Sequence, residues 1–593
     1  MQGISCASTH YRLHRISIWA AALREPSGRR THQNENELQI KSMTLALLVI
    51  GQGALAAQIP SAGSQLQHIP SVPSPDKAAP QFQIERELAP PATPGDGAII
   101  VANRLRVTDA QAFSEAELIA ATGFTPGSEL TLSALRTFAA QIALFYRQHG
   151  YFLAQAMLPA QDIVDGTVTI AVVEGQYGKV VLHNQSQLSD GLAQRLLEGL
   201  DGGDTISIAP LESRLLQLSD LPGVNVKSTL APGASVGASD LIVEVTPGQR
   251  VSGSIDADNS GSRYTGAYRS GATVNFNNPL GRGDVASLRA FTSWDGLNYG
   301  RAAYQLQFVR ASIGIAYTAL DYELGREFES LQANGTAQIA SLYSRYPLMR
   351  SRSSNLFVQV DIDYKNFRDK LDVTTPTTIT DKNAQVAMLS LIGDRHDSFG
   401  GGGFSTYSLT WTTGSLDIES ALALSADAST ARSNGHYDKL GLNVMRLQNV
   451  ADFLSVYAAL QGQVTTQNLD ISEKMGLGGA NAVRAYPEGE AYVDQGYLFN
   501  LEARIPLPNV TDLMPGQLQL VGFFDSGTGR LSKDPWGAGR NTRTLSGGGL
   551  GLNWFGASSF TVKAYYAHKF GGGAATSAPD SDNRFWISAV RYF

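Results

Sequence analysis

The last 346 or so residues of the chain alternate. In residues 497–505, Tyr497, Phe499, Leu501, Ala503 and Ile505 share one face, while Leu498, Asn500, Glu502 and Arg504 share the other. Residues 454–464, 560–570 and 585–593 repeat the pattern. A period of two with one apolar and one polar face is the code of a membrane β-barrel, lipid outside and water inside. At about twenty-one residues per strand and connection, the tract from 248 to 593 holds roughly sixteen strands. The chain ends at Phe593 with Ala589, Ile587 and Phe585 at alternate positions before it, and an aromatic at the interface belt suits the last strand of such a barrel. Arg591 interrupts that face, where a long basic side chain can reach the interface.

Ahead of position 248 the period is helical. Residues 99–107 read as a strand. Ser114-x-x-Glu117 is a capping box before LIAAT, with Gly123 as the stop. Leu132, Leu135, Phe138, Ile142, Phe145 and Tyr146 form a helical stripe closed by His149-Gly150. Residues 152–158 and 167–173 read as strands around an Asp165-Gly166 turn. Residues 179–247 repeat the order: a strand at 180–183, helices at 188–200 and from Pro210 with Leu211, Leu215 and Leu218 on one face, then strands at 224–230 and 241–245. Two similar α+β units in tandem are a structural repeat. The expected division is a targeting region at 1–57, a Pro-rich linker at 58–96, units at 97–175 and 176–247, and the barrel at 248–593.

The amino end carries the apolar run MTLALLVIG (43–51) behind Lys41, followed by Ala54-Leu55-Ala56, the pattern of a cleaved leader. The first forty residues look unlike the rest, so the start is over-extended or the leader unusually long. The linker carries eight prolines between 60 and 94 and favours extended backbone. A short helix fits at 60–69 with Pro60 in the first turn, though two and a half turns are marginal alone. The sequence leaves open whether that helix enters the pore.

Composition narrows the function. Net charge is -7 and charged residues are 17% of the chain, against a basic nucleic-acid footprint. The single cysteine, Cys6, excludes an intramolecular disulfide or thiolate metal cluster. No HExxH or Walker motif occurs, so no metal or nucleotide cofactor is expected. Asp394-Arg395-His396-Asp397 is the one cluster with an enzymatic look. No nucleophile motif accompanies it, and a polar turn at a strand end explains it better.

Four segments carry a family resemblance: LPAQDIVDGTVTIAVVEG (158–175), DADNSGSRYTGAYRSGATVNFNNPLGRGD (256–284), VRAYPEGE (483–490) and FDSG (524–527). With them the chain resembles the outer-membrane transporters of two-partner secretion, the FhaC/ShlB/HecB family, over residues 58–593. QIPSAGSQLQ also resembles the start of some mature members.

The resemblance implies a barrel of about sixteen antiparallel strands in the outer membrane, preceded by two α+β POTRA domains in the periplasm. It implies a monomeric channel that recognises an unfolded secreted exoprotein, of adhesin or haemolysin type, and passes it to the cell surface without nucleotide hydrolysis. It also implies a long loop folded into the lumen, with Val483, Arg484 and Tyr486 at its tip and Phe524, Asp525 and Gly527 on the wall that receives it.

On the residues themselves, an Arg484 guanidinium suits a bidentate pair with a carboxylate. Asp525 belongs inside because a carboxylate facing lipid is costly. Tyr486 reads as an anchor or an ordinary turn aromatic, and Glu488 and Glu490 as solvated loop charges. Ala485 stands where the family usually has glycine, and a positive φ there would strain it. In the periplasmic units, client strands would add to a sheet edge. The stripe Leu135, Phe138, Ile142 and Phe145 reads as core, and Arg136, Arg147 and Gln148 as exposed candidates for client contact. A barrel-assembly insertase and a passive porin are the competing readings.

Overall fold

The computed structural model describes residues 59–70, the backbone of 81–84, and residues 99–374, 376–507, 515–556 and 559–593. The expected leader lies outside them. Sixteen antiparallel strands close into one barrel, from Val251–Asp258 to Asn583–Tyr592. The seam pairs the first and last strands from Ser254 opposite Tyr592 to Asp258 opposite Ser588. Phe593 extends it, exchanging backbone hydrogen bonds with Gly253 at 2.9 and 3.1 Å. No helix among the described residues is long and apolar enough to cross a membrane.

Alternation governs every wall strand, because successive side chains in a strand point to opposite sides. In Gln495–Leu507, Leu498, Asn500 and Glu502 are buried inside, while Tyr497 and Leu501 are exposed outside. Glycine supplies the curvature. Gly314, Gly335, Gly393, Gly414 and Gly551 each lie directly opposite a tyrosine: Tyr343, Tyr322, Tyr407, Tyr437 and Tyr565. A Cβ on any of these glycines would come within 2.1–2.7 Å of the ring. Each ring lies over bare backbone and fills the place of the missing side chain, a device that bends a sheet and fixes its register.

Two α+β units precede the barrel. In the first, Ser114 and Glu117 make the reciprocal capping bonds, and Gly123 ends the helix Glu115–Thr122 at φ 67°. The core stripe is Leu135, Ala139, Ile142 and Tyr146, fully covered, with Phe138 and Phe145 packed at its margin. Arg136, Arg147 and Gln148 are exposed. The expected strand at 99–107 is instead two, Ile99–Ala102 and Arg104–Thr108. The Asp165-Gly166 turn wedges in at Asn103, whose N–H donates to the Gly166 carbonyl at 2.8 Å. The halves then pair with different strands, Ser128–Thr131 and Thr167–Val173.

The expected strand at 152–158 shrinks to Gln155–Met157. Residues 151–154 turn, and Phe152 and Leu153 pack into the core of the second unit. That second unit has helices Asp190–Leu197 and Ile208–Asp220 over a sheet ordered Gln81–Ile84, Val224–Pro232, Ala238–Pro247, Gln176–Asn184. It meets the near end of the barrel through Arg350 and Asp220 at 2.7 Å and Arg352 and Glu212 at 3.2 Å. The chain enters the barrel from that end. The connections 259–268, 466–494 and 570–582 therefore lie at the far end.

The glycine–tyrosine pairing makes a stability prediction. Gly314→Val should drive two methyls into Tyr343 and cost about 1–3 kcal/mol by overpacking. The temperature at which the folded barrel loses its heat-modifiable gel mobility should fall, and a Tyr343→Ala partner should recover part of the loss.

Candidate functional site

The connection after the strand Leu454–Thr465 does not stay at the far end. Residues 466–494 turn back into the lumen, and their tip carries the VRAYPEGE segment. Val483, Ala485 and Tyr486 are fully buried there with Leu477, Val493, Leu498, Val521, Phe523 and Leu545. Apolar burial alone does not set the register of a loop. Charge does so here. Arg484 is 4% exposed, and its Nε and Nη2 donate to the two carboxylate oxygens of Asp525 at 2.8 and 2.7 Å. The Arg484 backbone N–H donates to the same carboxylate at 3.1 Å, and Asn500 Nδ2 donates to it at 2.8 Å. The remaining nitrogen, Nη1, donates to Glu502 at 2.7 Å.

The guanidinium carbon lies 3.6 Å from the ring centre of Phe523 and 4.9 Å from that of Tyr565, a cation–π pair in a water-poor setting. Burial works against the charge on Arg484. The bonds and charges of Asp525 and Glu502 outweigh it and hold its pKa above the usual value.

The wall partners separate by strand parity. Asp525 is fully buried inside. Gly527, two residues on, is also inside: a Cβ there would meet Val483 Cγ2 and Leu498 Cδ1 at 3.3 Å. Phe524, expected to receive the loop, points the other way. It is 39% exposed on the outer face and stacks on Phe570. The ring that covers the arginine is its neighbour Phe523, which shares a face with Asp525.

Tyr486 is an anchor on the wall. Its hydroxyl donates to the Gly571 carbonyl at 2.8 Å, and Lys569 Nζ lies 4.8 Å from its ring centre. Trp586 of the last strand donates its indole N–H to the Arg484 carbonyl at 2.7 Å. Ala485 has no positive φ, so the expected strain is absent; Ala491 is the loop alanine with φ 57°. The Ala485 methyl occupies space that Gly547 leaves free, where a Cβ would approach it to 2.3 Å.

The two glutamates are not solvated charges. Glu490 is fully buried and fully partnered by Arg543, Thr576 and Ser577. Glu488 is partly covered, and burial pushes its carboxyl up to about 7.

A second attachment lies on the rising limb of the loop. The turn Ile471–Glu473 places Asp470 against Lys382 at 2.7 Å, and Glu473 against Lys365 and Lys439 at 2.8 Å each. No sequence motif marked these residues. The signal available was an inward lysine at one polar position of three separate strands.

The helix Ala62–Gln67 rests on this turn inside the barrel. The Ala62 N–H donates to Asp369 at 2.8 Å, Gln67 donates to the Ile471 carbonyl at 2.5 Å, and a Cβ on Gly63 would strike Ser472 at 2.8 Å. His68 shares a 2.5 Å hydrogen bond with the Tyr492 hydroxyl. Burial and nearby Arg269 hold its pKa down to about 3, so the ring is neutral.

The Asp394–Asp397 cluster braces a turn at the near end. Asp397 pairs with Arg446 at 2.7 Å, Asn355 donates to Asp394 at 2.8 Å, and His396 packs on Phe404. No group of three or more potential metal ligands occurs among the described residues.

Residues 237–554 match the family described as haemolysin secretion/activation protein ShlB/FhaC/HecB, and residues 100–175 match the ShlB-type POTRA domain. The heme/hemopexin transporter protein HuxB of Haemophilus influenzae is 28% identical over 79% of this chain and 82% of its own. The outer membrane transporter CdiB of Escherichia coli is 22% identical over 84% and 83%. The solved structure of CdiB from Escherichia coli superposes with a TM-score of 0.67 at 18% identity, covering 95% of this chain and all of that one. CdiB from Acinetobacter baumannii gives 0.60 at 17% identity, over 94% and 98%. These two superpositions establish the shared fold.

Breaking the latch from the wall side should free the loop. Asp525→Asn removes one charge from a buried pair, and losing a buried partner costs about 3–5 kcal/mol. Trypsin added to the detergent-solubilised protein should then cut at Arg484, which the intact latch protects.

Proposed function

The chain belongs to the ShlB/FhaC/HecB family of haemolysin secretion/activation proteins, and from that premise we propose that the Arg484–Asp525 latch holds the lumenal loop in the geometry that lets a polypeptide pass. The protein is an outer-membrane transporter of two-partner secretion with periplasmic POTRA structure ahead of its barrel. Its partner is a secreted exoprotein, and its relatives are transporters.

The division of labour follows the chain. Residues 1–57 direct export, 58–96 are a linker that carries the lumenal helix, 97–175 and 176–247 are the two POTRA domains, and 248–593 are the pore. The client arrives unfolded. An extended backbone offers hydrogen bonds everywhere, so a POTRA sheet edge receives it by strand addition with little demand on sequence. Arg136, Arg147 and Gln148, exposed on the helix Leu132–Gln148, are the candidates for client contact on the first domain.

The client is of the haemolysin or haem-acquisition type, in line with the relative named as a heme/hemopexin transporter. The transporter works as a monomer, for which one chain supplies the whole pore wall. No cofactor is invoked.

The observation that carries this reading is a fully buried arginine, on a loop tip inside a sixteen-strand barrel, held by two wall carboxylates. A diffusion porin has no need of POTRA domains. The test is export. Arg484→Ala should cut the exoprotein recovered in the medium at least tenfold, while the barrel reaches the outer membrane at its normal level. Arg484→Lys keeps the charge but loses the fork, and should fall between. Unchanged export in Arg484→Ala would end the proposal. A second expectation concerns the lumenal helix: deleting residues 59–70 should raise single-channel conductance in planar bilayers, because that helix fills lumen that water would otherwise occupy.

A further inference from the structure

Glu490 lies six residues beyond Arg484, and its carboxylate is completely covered. A covered carboxylate needs donors for its lone pairs. Arg543 Nη2 supplies one at 2.7 Å from the wall. Four more come from one short stretch of chain: the Thr576 N–H at 2.8 Å, the Thr576 hydroxyl at 3.0 Å, the Ser577 N–H at 2.9 Å and the Ser577 hydroxyl at 2.8 Å. That stretch belongs to the connection 570–582, which joins the last two strands at the far end of the barrel.

A separate observation points the same way. The exposed Gly571–Gly573 run touches the loop tip and the wall. Gly571 accepts from the Tyr486 hydroxyl. A Cβ on Gly572, at φ 88°, would come within 2.4 Å of that hydroxyl, and one on Gly573 within 2.6 Å of Arg543. Arg543 in turn donates to the Ala574 carbonyl at 2.6 Å. Six of the seven residues 571–577 thus contact or closely approach Tyr486, Glu490 or Arg543.

We propose that Glu490 is a positioning residue that fastens the last surface segment, residues 571–577, onto the tip of the lumenal loop, so that the outer mouth and the loop move as one body. The assignment deepens the export reading, since it rests on the loop being part of the pore. Its mechanics do not depend on a client. The loop tip cannot leave its seat without stripping the carboxylate of its donors, and the surface segment cannot lift without leaving that charge bare. The hairpin Phe560–Lys569 and Asn583–Tyr592 is held from inside by the same contacts.

The test uses the full-length protein in intact cells that make no exoprotein. That setting separates failure of this proposal from failure of the export reading. In a Cys6→Ser background an Ala578→Cys thiol is the only one present, and a membrane-impermeant maleimide reports how often the segment lifts. Glu490→Ala should raise the labelling rate about fivefold or more, and Glu490→Gln about two- to threefold, since losing one kcal/mol or so of local stability changes the open fraction by that order. Glu488→Gln, on the same loop, should leave the rate unchanged. Should Glu490→Ala fail to assemble, the near-isosteric Glu490→Gln carries the test alone. Unchanged labelling in a Glu490 variant that retains heat-modifiable mobility would overturn the proposal. So would an equal rise in Glu488→Gln, which would mean general loosening of the loop.

Discussion

A guanidinium with almost no access to water is the constraint around which the lumen is organised. Burying Arg484 is unfavourable unless each guanidinium nitrogen finds an acceptor and the charge is balanced. The chain meets both demands with residues that have no other reason to be together: Asp525 and Glu502 from neighbouring strands, Asn500 to complete Asp525, and Phe523 and Tyr565 to cover the plane. These partners are distributed over Gln495–Leu507, Gly516–Arg530 and Phe560–Lys569. A shift of one residue in any of these strands would turn its contribution toward the lipid. The latch therefore reads the register of the wall as much as it holds the loop.

The barrel was the most legible part of the sequence, for a physical reason. Lipid on one side and water on the other impose alternation on every strand, and the pattern survives loops of any length. The first α+β unit was legible at its caps, where Ser114, Glu117 and Gly123 do what local chemistry dictates. It was less legible at 99–107, where a remote turn splits the strand, and at Phe152 and Leu153, which leave their own unit to pack in the next. The site divides in the same way. Arg484, Asp525 and Tyr486 belong to motifs and could be named in advance. The resemblance points to Phe524, but a motif does not state which of two adjacent phenylalanines faces inward; parity with Asp525 selects Phe523. Asp470, Glu473 and Glu490 were hidden because a carboxylate in a polar loop looks solvated until the fold shows what surrounds it.

Counting charged attachments also orders what can move. The loop is fastened by Arg484 to Asp525 and Glu502, by Asp470 and Glu473 to three lysines, and by Glu490 to Arg543. Leaving even one of these charges buried without its partner costs about 3–5 kcal/mol. The helix Ala62–Gln67 is held differently. Its segment makes single hydrogen bonds through Ala62, Gln65, Gln67 and His68, most of them between neutral partners. Water replaces such bonds at a net loss of about 0.5–1.5 kcal/mol each. Six residues of helix are also marginal by themselves and gain little from staying folded. For a pore that must admit a polypeptide, the ordering favours one route. On the proposed function, that route is release of the helix from its seat on Ile471–Glu473 with the loop still latched beside the passing chain.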